Sequence, residues 1–292
     1  MMKVAITGAS GFIGSHLLSR LITEKHQLVV LDFDGHNYPD GIKVVRGNLL
    51  NGEGLDNFLD GVDVVIHLAG QVLSGKTSME EGNIKTTANL ISACRSAKIK
   101  KFIFASTIAV YGDSNGKMFR ETDTCHPDTE YGESKFEAEI MIRKWSKEDG
   151  GVATIFRFFS IYGPGNTKGV IYNLCHDFIK SGGVTIYGDG KQKRDLVFVD
   201  DVSELIKRSL EGNFDGIYNV GTGKYYSILD LVSILEKISG RKCEIDFQNS
   251  DESKVGEVIY SVEKLKSEFG WLPATDIKSG IKKVFEHITQ NV

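Results

Sequence analysis

Short apolar segments alternate with amphipathic segments through the first half of the chain. Near-continuous apolar runs rich in β-branched residues are typical of strands buried on both faces of a parallel sheet. Apolar residues recur at helical spacing between them, in 12–25 and 79–98. The alternation predicts an α/β fold, a doubly wound parallel sheet with right-handed crossovers. The strand segments are KVAIT (3–7), QLVVLD (27–32), IKVVRG (42–47), DVVIHLA (63–69), KFIFAS (101–106) and VATIFRF (152–158).

The pattern changes after residue 160, where glycine-rich connections separate shorter elements. GIYNVG (216–221) reads as one more buried strand, and helices are predicted at about 227–239, 261–269 and 276–289. The predicted domains are therefore a dinucleotide-binding domain and a smaller interleaved α/β substrate lobe. The first takes 1–162 with a returning segment at about 195–222, and the second takes 163–194 and 223–292.

Composition excludes several functional classes. Of the 292 residues, 41% are hydrophobic and 25% are charged, which is typical of a soluble globular protein. The net charge of -4 favours neither a nucleic-acid nor a membrane partner. No apolar run reaches the roughly 18 residues of a membrane span, and the chain opens directly on an apolar strand, so no signal peptide is expected.

The cysteine and histidine pattern predicts neither disulfides nor a metal site. Four cysteines, Cys94, Cys125, Cys175 and Cys243, lie far apart, with no C-x-x-C pair and no H-E-x-x-H motif. Reduced thiols are the simplest interpretation, and they favour a cytoplasmic protein.

A glycine pattern follows the first predicted strand. TGASGFIG (7–14) places Gly8, Gly11 and Gly14 in a G-x-x-G-x-x-G series that opens the first helix. Such glycines allow a tight turn and let the backbone approach a pyrophosphate at the helix N-terminus. Asp32 ends the next strand, 18 residues after Gly14, where a carboxylate binds the adenine ribose hydroxyls. Because that carboxylate would repel a 2′-phosphate, the predicted cofactor is NAD rather than NADP.

YGESK (131–135) holds a tyrosine and a lysine four positions apart, which puts Tyr131 and Lys135 on one helix face. Tyr-x-x-x-Lys also arises by chance, and by itself it indicates a solvated helix pair. Spacing and composition alone therefore lead to a dinucleotide-binding α/β protein with a Tyr/Lys pair.

An ordered series of motifs gives the chain its family resemblance. The chain resembles the extended short-chain dehydrogenase/reductases, in particular the NAD-dependent epimerase/dehydratase group that acts on sugar nucleotides, and the match covers nearly its whole length. The resemblance implies a Rossmann-type sheet with a substrate lobe. The motifs are TGASGFIG (7–14), HLAG (67–70), STIAVYG (106–112), YGESK (131–135), RFFSIYGPG (157–165), GDGKQKRDLVFVDD (188–201), YNVGTG (218–223) and FGWLP (269–273).

The resemblance implies three catalytic residues. Tyr131 takes the role of acid and base toward a sugar hydroxyl, and Thr107 holds the substrate oxygen and shares its proton with Tyr131. A free phenol has a pKa near 10, too high for a base at neutral pH. We expect the Lys135 ammonium and the nicotinamide ring to lower it.

The resemblance also implies a set of cofactor contacts. Asn48 stands where the family usually has an aspartate that touches the adenine, and its amide can still accept a hydrogen bond there. Asn83 matches a family asparagine near the adenine-side ribose and the phosphates. The complete NAD-binding set is Gly8, Gly11, Phe12, Ile13, Gly14, Asp32, Asn48, Leu49, Leu68, Ala69, Gly70, Asn83, Ala105, Tyr131, Lys135 and Phe158.

The residues after Thr107 distinguish between branches of the family. The 4,6-dehydratases carry Asp-Glu there as extra acid and base, whereas this chain has Ile108 and Ala109, which transfer no proton. The favoured reaction is therefore oxidation of a hydroxyl by NAD and hydride return to the opposite face, a C4 epimerisation of a nucleotide sugar such as a UDP-hexose.

The second lobe supplies the predicted substrate contacts. Arg194 matches the arginine that grips the diphosphate. Ser160 replaces the usual family asparagine, and Lys254 stands where many relatives have a second arginine. Lysine does not bind a phosphate bidentately, so the nucleotide stays open. With Thr107, these residues form the predicted substrate site.

Two alternatives remain beside the epimerase. One is a related NAD(P)-dependent reductase, dehydrogenase or decarboxylating enzyme, and the other is a non-catalytic NAD-binding regulator or scaffold. The helices at 79–98 and 131–148 form the dimer interface in many members of the family, so a homodimer is expected.

Overall fold

The secondary structure of the protein is taken from a computed structural model, which describes residues 1–71, 78–114, 116–249 and 259–291. The strands are β1 (Lys3–Thr7), β2 (Gln27–Asp32), β3 (Ile42–Arg46), β4 (Val64–His67), β5 (Lys101–Thr107), β6 (Met118–Phe119), β7 (Val152–Phe158), β8 (Ser160–Tyr162), β9 (Gly183–Tyr187), β10 (Lys193–Phe198), β11 (Gly216–Val220), β12 (Tyr225–Ser227), β13 (Glu244–Gln248) and β14 (Ile259–Tyr260).

Helices lie in the predicted segments 12–25, 79–98, 131–148, 227–239, 261–269 and 276–289, whereas the helices at 55–59, 170–181 and 199–211 were not predicted. A π-helical turn (Glu80–Lys85) leads into α3, and a 3₁₀ turn (Ile108–Tyr111) follows β5. The α-helices are α1 (Phe12–Leu21), α2 (Leu55–Leu59), α3 (Thr86–Ser96), α4 (Glu130–Asp149), α5 (Val170–Ser181), α6 (Val199–Glu211), α7 (Ile228–Ser239), α8 (Glu263–Phe269) and α9 (Ile277–Asn291).

Seven strands form the central sheet, in the order β3, β2, β1, β4, β5, β7, β11. β1 pairs in parallel with β2 on one side and with β4 on the other, and β4 to β5 and β5 to β7 are also parallel. The chain order reverses at β1, which makes the space beyond the carboxyl ends of β1 and β4 the topological switch point. The predicted doubly wound α/β sheet is confirmed.

β3 departs from the expectation that each strand is buried on both faces. It lies at the edge of the sheet, and its Val44 side chain is 46% exposed. An apolar run alone did not reveal this, because edge and central strands can carry the same β-branched residues.

The longest helix owes its length to clear end signals and a buried face. Thr129 caps the N-terminus of α4 by accepting a hydrogen bond from the Gly132 N–H at 3.1 Å. Gly150 ends the helix in a left-handed conformation. Between them, Ile142 and Trp145 are fully buried in the core that α4 shares with the sheet, so the helix is anchored beside β5.

The chain forms two compact units. The first comprises Met1–Gly112, Glu121–Phe158 and Ser203–Asn219, and the second comprises Asp113–Arg120, Phe159–Val202 and Val220–Val292.

Each unit has its own apolar core. The core of the second unit includes Phe178, Phe198 and Leu231. Residues 159–162 and 195–202, placed with the dinucleotide domain from the sequence, lie in the second unit. The assignment of NAD binding to the first unit and substrate binding to the second stays a prediction. In the described parts of the chain, no helix combines the length and apolar character that a membrane crossing requires.

Two valines of the same sheet test how much burial stabilises it. Val65 on β4 is fully buried, whereas Val44 on β3 is 46% exposed. We expect Val65→Ala to lower the free energy of unfolding by about 2 kcal/mol, because two buried methyl groups are lost and a cavity remains. Val44→Ala should change it by less than about 0.5 kcal/mol. Chemical denaturation of both variants measures the difference, and equal losses would contradict the burial of β4.

Candidate active site

The glycine loop after β1 is too tight for side chains at two positions. Gly8 has a φ of +72°, and a Cβ built on it would lie 2.5 Å from the Ala69 backbone nitrogen. A Cβ on Gly14 would lie 2.2 Å from the Gly8 carbonyl oxygen. The Gly11 N–H donates to the same carbonyl at 3.1 Å. The turn therefore exposes backbone N–H groups at the start of α1, where Phe12 and Ile13 follow, and it fits a pyrophosphate.

Asp32 ends β2 as a buried carboxylate that its own loop surrounds with donors. The backbone N–H groups of Gly35 and His36 donate to Oδ2, and the Tyr38 hydroxyl donates to Oδ1 at 3.0 Å. His36 Nδ1 lies 2.8 Å from Oδ1. Burial raises the pKa of this carboxyl, but these hydrogen bonds outweigh burial and bring it below its ordinary value. Asp32 is thus a fixed negative charge at the position expected for ribose recognition. Sequence reasoning missed His36 and Tyr38.

The segment after β4 runs beside the glycine loop. The Leu68 N–H donates to the Thr7 carbonyl at 3.1 Å, and the Ala69 N–H donates to Thr7 Oγ1 at 3.4 Å. A Cβ on Gly70 would lie 2.9 Å from both Asn83 Oδ1 and Lys135 Nζ. Leu68, Ala69 and Gly70 therefore join the glycine loop to the predicted catalytic lysine.

His67 packs in the sheet as a neutral ring. Its Nε2 lies 3.1 Å from Thr87 Oγ1, which itself donates to the Asn83 carbonyl, so the proton of the ring lies on Nε2. Nδ1 then accepts from the Thr7 hydroxyl at 2.7 Å. Burial, with the charge of Lys135, lowers the pKa of His67 to about 3. His67 thus orients Thr7 beneath the Ala69 N–H.

The two asparagines predicted to contact NAD differ in their surroundings. Asn48 Oδ1 accepts from the Leu50 N–H at 2.9 Å, which leaves one lone pair of this oxygen for the adenine. Leu49 follows it, and its carbonyl accepts from Asn89 Nδ2 at 2.8 Å.

Asn83 is only 2% exposed, so it is not a solvated helix residue. Its Nδ2 donates to the Gln71 carbonyl and to Ser134 Oγ, each at 2.9 Å. It lies in the π-helical turn, a distortion frequent at functional sites. Direct contact between Asn83 and the cofactor stays a prediction.

Thr107 and Tyr131 are hydrogen-bonded to each other at the carboxyl end of β5 and the start of α4. Thr107 Oγ1 also accepts from the Ala109 N–H at 3.2 Å. Burial raises the pKa of Tyr131, and the bond from Thr107 lowers it only in part. The lowering expected from Lys135 is therefore wrong for the protein's own groups, because desolvation of the phenolate dominates.

Lys135 is buried, with 5% of its surface exposed. Its Nζ donates to the Ala105 carbonyl at 2.9 Å and lies 4.7 Å from the centre of the Phe104 ring. Burial lowers its pKa to about 8, partly opposed by the charge of Glu139. The ammonium is thus held behind Tyr131 by groups of β5.

A buried ion pair lies next to this lysine and was missed from the sequence. Glu139 and Arg157 are each 2% exposed, and Arg157 Nη2 lies 2.6 Å from Glu139 Oε2. Spacing could have pointed to Glu139, which follows Lys135 by four residues as Lys135 follows Tyr131, but it does not identify Arg157 as the partner.

Two of the predicted substrate residues, Ser160 and Arg194, lie in the small sheet of the second unit. Ser160 begins β8, where it pairs with Leu196 of β10. Arg194 lies on β10, opposite Tyr226 of β12. Lys254 lies outside the described residues. Phe158, the last predicted cofactor contact, ends β7 in the first unit opposite Thr107 and is buried.

The features gathered at the carboxyl ends of β1, β2, β4 and β5 are those of a dinucleotide-binding protein with a tyrosine/lysine pair. Across the described ranges, no group of three or more His, Cys, Asp or Glu side chains is placed to hold a metal ion. Residues 4–221 match the model of the NAD dependent epimerase/dehydratase family. The chain belongs to this family, and NAD as the cofactor is confirmed.

Relatives and solved structures agree with this assignment over the full length. The chain is 31% identical to the uncharacterized UDP-glucose epimerase YtcB of Bacillus subtilis, covering 99% of this chain and 98% of that protein. It is 32% identical to a putative UDP-glucose 4-epimerase of Methanocaldococcus jannaschii, covering 99% of each. The Bacillus cereus UDP-glucuronic acid 4-epimerase bound to UDP-glucuronic acid and NAD superposes with a TM-score of 0.89, at 29% identity over 100% of both chains.

Asp32→Asn tests the choice of cofactor. We expect the dissociation constant for NAD to rise about tenfold, because a neutral amide makes weaker hydrogen bonds to ribose hydroxyls. Binding of NADP should improve relative to NAD, since the charge that repels a 2′-phosphate is gone. Titration calorimetry with both nucleotides measures the ratio.

Asp34→Asn is the matched control, since Asp34 lies two residues away and is exposed. It should leave both dissociation constants unchanged. An unchanged NAD/NADP ratio in Asp32→Asn would remove Asp32 from cofactor selection.

Proposed function

We propose that the chain catalyses NAD-dependent epimerisation of a nucleotide-diphosphate sugar, at C4 of a UDP-hexose, through a transient ketone. The arrangement at the end of β5 carries the proposal. Tyr131 is hydrogen-bonded to Thr107, with Lys135 buried behind it. Ile108 and Ala109 follow Thr107 directly. This set can move the proton of a hydroxyl, and it lacks the extra acid and base that dehydration needs.

Tyr131 is the proposed acid and base of the reaction. Its hydroxyl receives a hydrogen bond from Thr107, so a substrate hydroxyl bound beside both groups can lose its proton to a phenolate stabilised by Thr107. Since burial raises the pKa of Tyr131, the phenolate needs positive charge nearby. The positively charged nicotinamide ring of bound NAD would supply it.

The NAD-binding role is assigned to the loops at the carboxyl ends of the strands. The backbone of the glycine loop binds the pyrophosphate, Asp32 binds the adenine ribose, and Lys135 binds the nicotinamide ribose. When bound, NAD supplies the acceptor and donor of the hydride that leaves and returns to the sugar carbon.

Relatives support a UDP-sugar as the substrate. The names of the Bacillus subtilis and Methanocaldococcus jannaschii relatives refer to UDP-glucose, and the structure of the Bacillus cereus epimerase contains UDP-glucuronic acid. We assign the diphosphate to Arg194 and Lys254, whose cationic side chains suit it, and a sugar contact to Ser160.

The assembly and the compartment are part of the proposal. A homodimer through α3, α4 and the preceding π-helical turn is the assembly that the family resemblance implies. A cytoplasmic location is supported by the four cysteines, all of which carry free thiols. A role in carbohydrate metabolism follows from the proposed substrate.

A substrate panel tests the activity. The purified protein is incubated with UDP-, GDP- and dTDP-hexoses, and the products are separated and weighed. An isomeric product of unchanged mass with no net consumption of NAD supports the epimerase. Stoichiometric turnover of NAD(P)H would support a reductase or dehydrogenase instead. Retained NAD binding without any reaction would support a non-catalytic NAD-binding protein.

Tyr131→Phe tests the central residue. We expect kcat to fall by about 10²- to 10⁴-fold, because the proton acceptor is lost, while the dissociation constant for NAD changes little. Tyr187→Phe is the matched control, since Tyr187 is 57% exposed on β9, and it should keep its full rate. Unchanged turnover in Tyr131→Phe would refute the assigned role.

A further inference from the structure

We propose that Glu139 is a positioning residue for the epimerisation: its buried carboxylate, clamped by Arg157 and Ser106, keeps Lys135 protonated and fixed behind Tyr131. This inference rests on the proposed function and extends it by one residue. No motif used to identify the site includes Glu139.

The first observation is the stacking of three functional groups along α4. Tyr131, Lys135 and Glu139 follow one another at intervals of four residues, so they lie on one face of the helix, one turn apart. Lys135 is 5% exposed and Glu139 is 2% exposed. An ammonium and a carboxylate one turn apart in a dry interior attract each other far more strongly than at a surface.

The second observation is the clamp that fixes the carboxylate. Arg157 donates from Nε to Oε1 at 3.0 Å and from Nη2 to Oε2 at 2.6 Å, a bidentate pair. Ser106 Oγ donates to Oε1 at 2.5 Å. Ser106 lies between Ala105, whose carbonyl holds Lys135, and Thr107. The clamp therefore ties α4 to the part of β5 that carries the catalytic groups.

The groups of other elements that pack against Lys135, as named below, carry no negative charge. The negative charge that acts on the Lys135 ammonium comes from Glu139. β5 contributes the Phe104 ring and the Ala105 carbonyl. β4 contributes His67, which is neutral because its pKa is about 3, and the π-helical turn contributes the uncharged amide of Asn83. Of the causes acting on the pKa of Lys135, burial lowers it and the charge of Glu139 raises it.

Arg157 contributes a buried positive charge from β7. Its guanidinium carbon lies 4.6 Å from the centre of the Tyr111 ring. The Cys125 side chain also interacts electrostatically with the guanidinium. The bidentate contact holds this positive charge on Glu139. Burial lowers the pKa of Arg157, but the hydrogen bond and charge of Glu139 outweigh burial and raise it above its ordinary value, so the clamp stays charged.

Glu139→Gln tests the inference, since the amide keeps the size of the side chain and an acceptor for Ser106 while removing the charge. We expect the pKa of Lys135 to fall by about one unit. The activity that depends on protonated Lys135 is lost as pH rises through this pKa, so the alkaline limb of the kcat profile should move to lower pH. At pH values below the alkaline limbs, kcat of the wild type and of Glu139→Gln should agree within about threefold. At pH values above both limbs, kcat of the variant should be about tenfold lower.

The pKa of Lys135 is also measured without turnover. Protein labelled with ¹³C at lysine Cε is titrated by NMR, and the Lys135 signal is assigned from its absence in Lys135→Arg. Glu137→Gln is the matched control, because Glu137 lies on the same helix and is exposed. It should leave both the titration and the pH profile unchanged.

A second variant covers the case in which Glu139→Gln fails to fold because it leaves Arg157 buried without a partner. The double variant Glu139→Gln, Arg157→Met removes the whole pair and should still lower the pKa of Lys135, by less than the single variant because the positive charge of Arg157 is removed with it. A pKa of Lys135 that stays within about 0.3 of the wild-type value in the folded variant overturns the inference. So does an equal fall in kcat at every pH, which is what a purely structural role predicts.

The experiments distinguish a failure of the proposed function from a failure of the role proposed for Glu139. If the wild-type protein epimerises no nucleotide sugar, the proposed function fails, while the NMR titration still reports whether Glu139 maintains the charge of Lys135. If the wild-type protein is active and the titration does not move, the role of Glu139 fails alone.

Discussion

The parallel register around β1 is the constraint on which the rest of the site depends. Thr7 at the end of β1 pairs with Leu31 of β2 and with His67 of β4, so the segments that leave these strands start side by side. Parallel strands cannot return through a short turn, and each exit leads into a loop at the same edge. The close approach of Gly8 to the Ala69 backbone follows directly. A side chain at Gly8 would push apart the two loops that the predicted NAD site needs together.

A second constraint arises because a charged group lies inside this apolar framework. Lys135 enters between the sheet and α4, where burial favours its neutral form. The protein opposes this with the Ala105 carbonyl, the Phe104 ring and the charge of Glu139. Once Glu139 is buried, it needs partners in turn, because an unpaired buried carboxylate is strongly unfavourable. The burial of Lys135 therefore accounts for Glu139 and for the partners that Glu139 needs in turn.

The sequence was most informative where structure depends on local pattern. The glycine series, the strand ends and the spacing of Tyr131 and Lys135 are local, so the fold and the position of the site followed from them. The pairing of Glu139 with Arg157 joins residues 18 positions apart on different elements, and no local pattern specifies it. The same holds for Tyr38, which reaches Asp32 through the shape of a loop, and for the edge position of β3. The raised pKa of Tyr131 was missed because the sequence shows the neighbouring charge and not the degree of burial.

The short segment after β5 narrows the chemistry further than the tyrosine itself. Thr107 ends the strand and caps a 3₁₀ turn by accepting from the Ala109 N–H, while Ile108 is 2% exposed and packs inward. The two positions after Thr107 therefore serve packing and turn geometry, and neither offers a proton donor. A site with one proton-transfer pair can oxidise a hydroxyl and reprotonate the same oxygen. Elimination of water from a neighbouring carbon needs a second acid and base, so the residues that fold the end of β5 also restrict what the bound sugar can undergo.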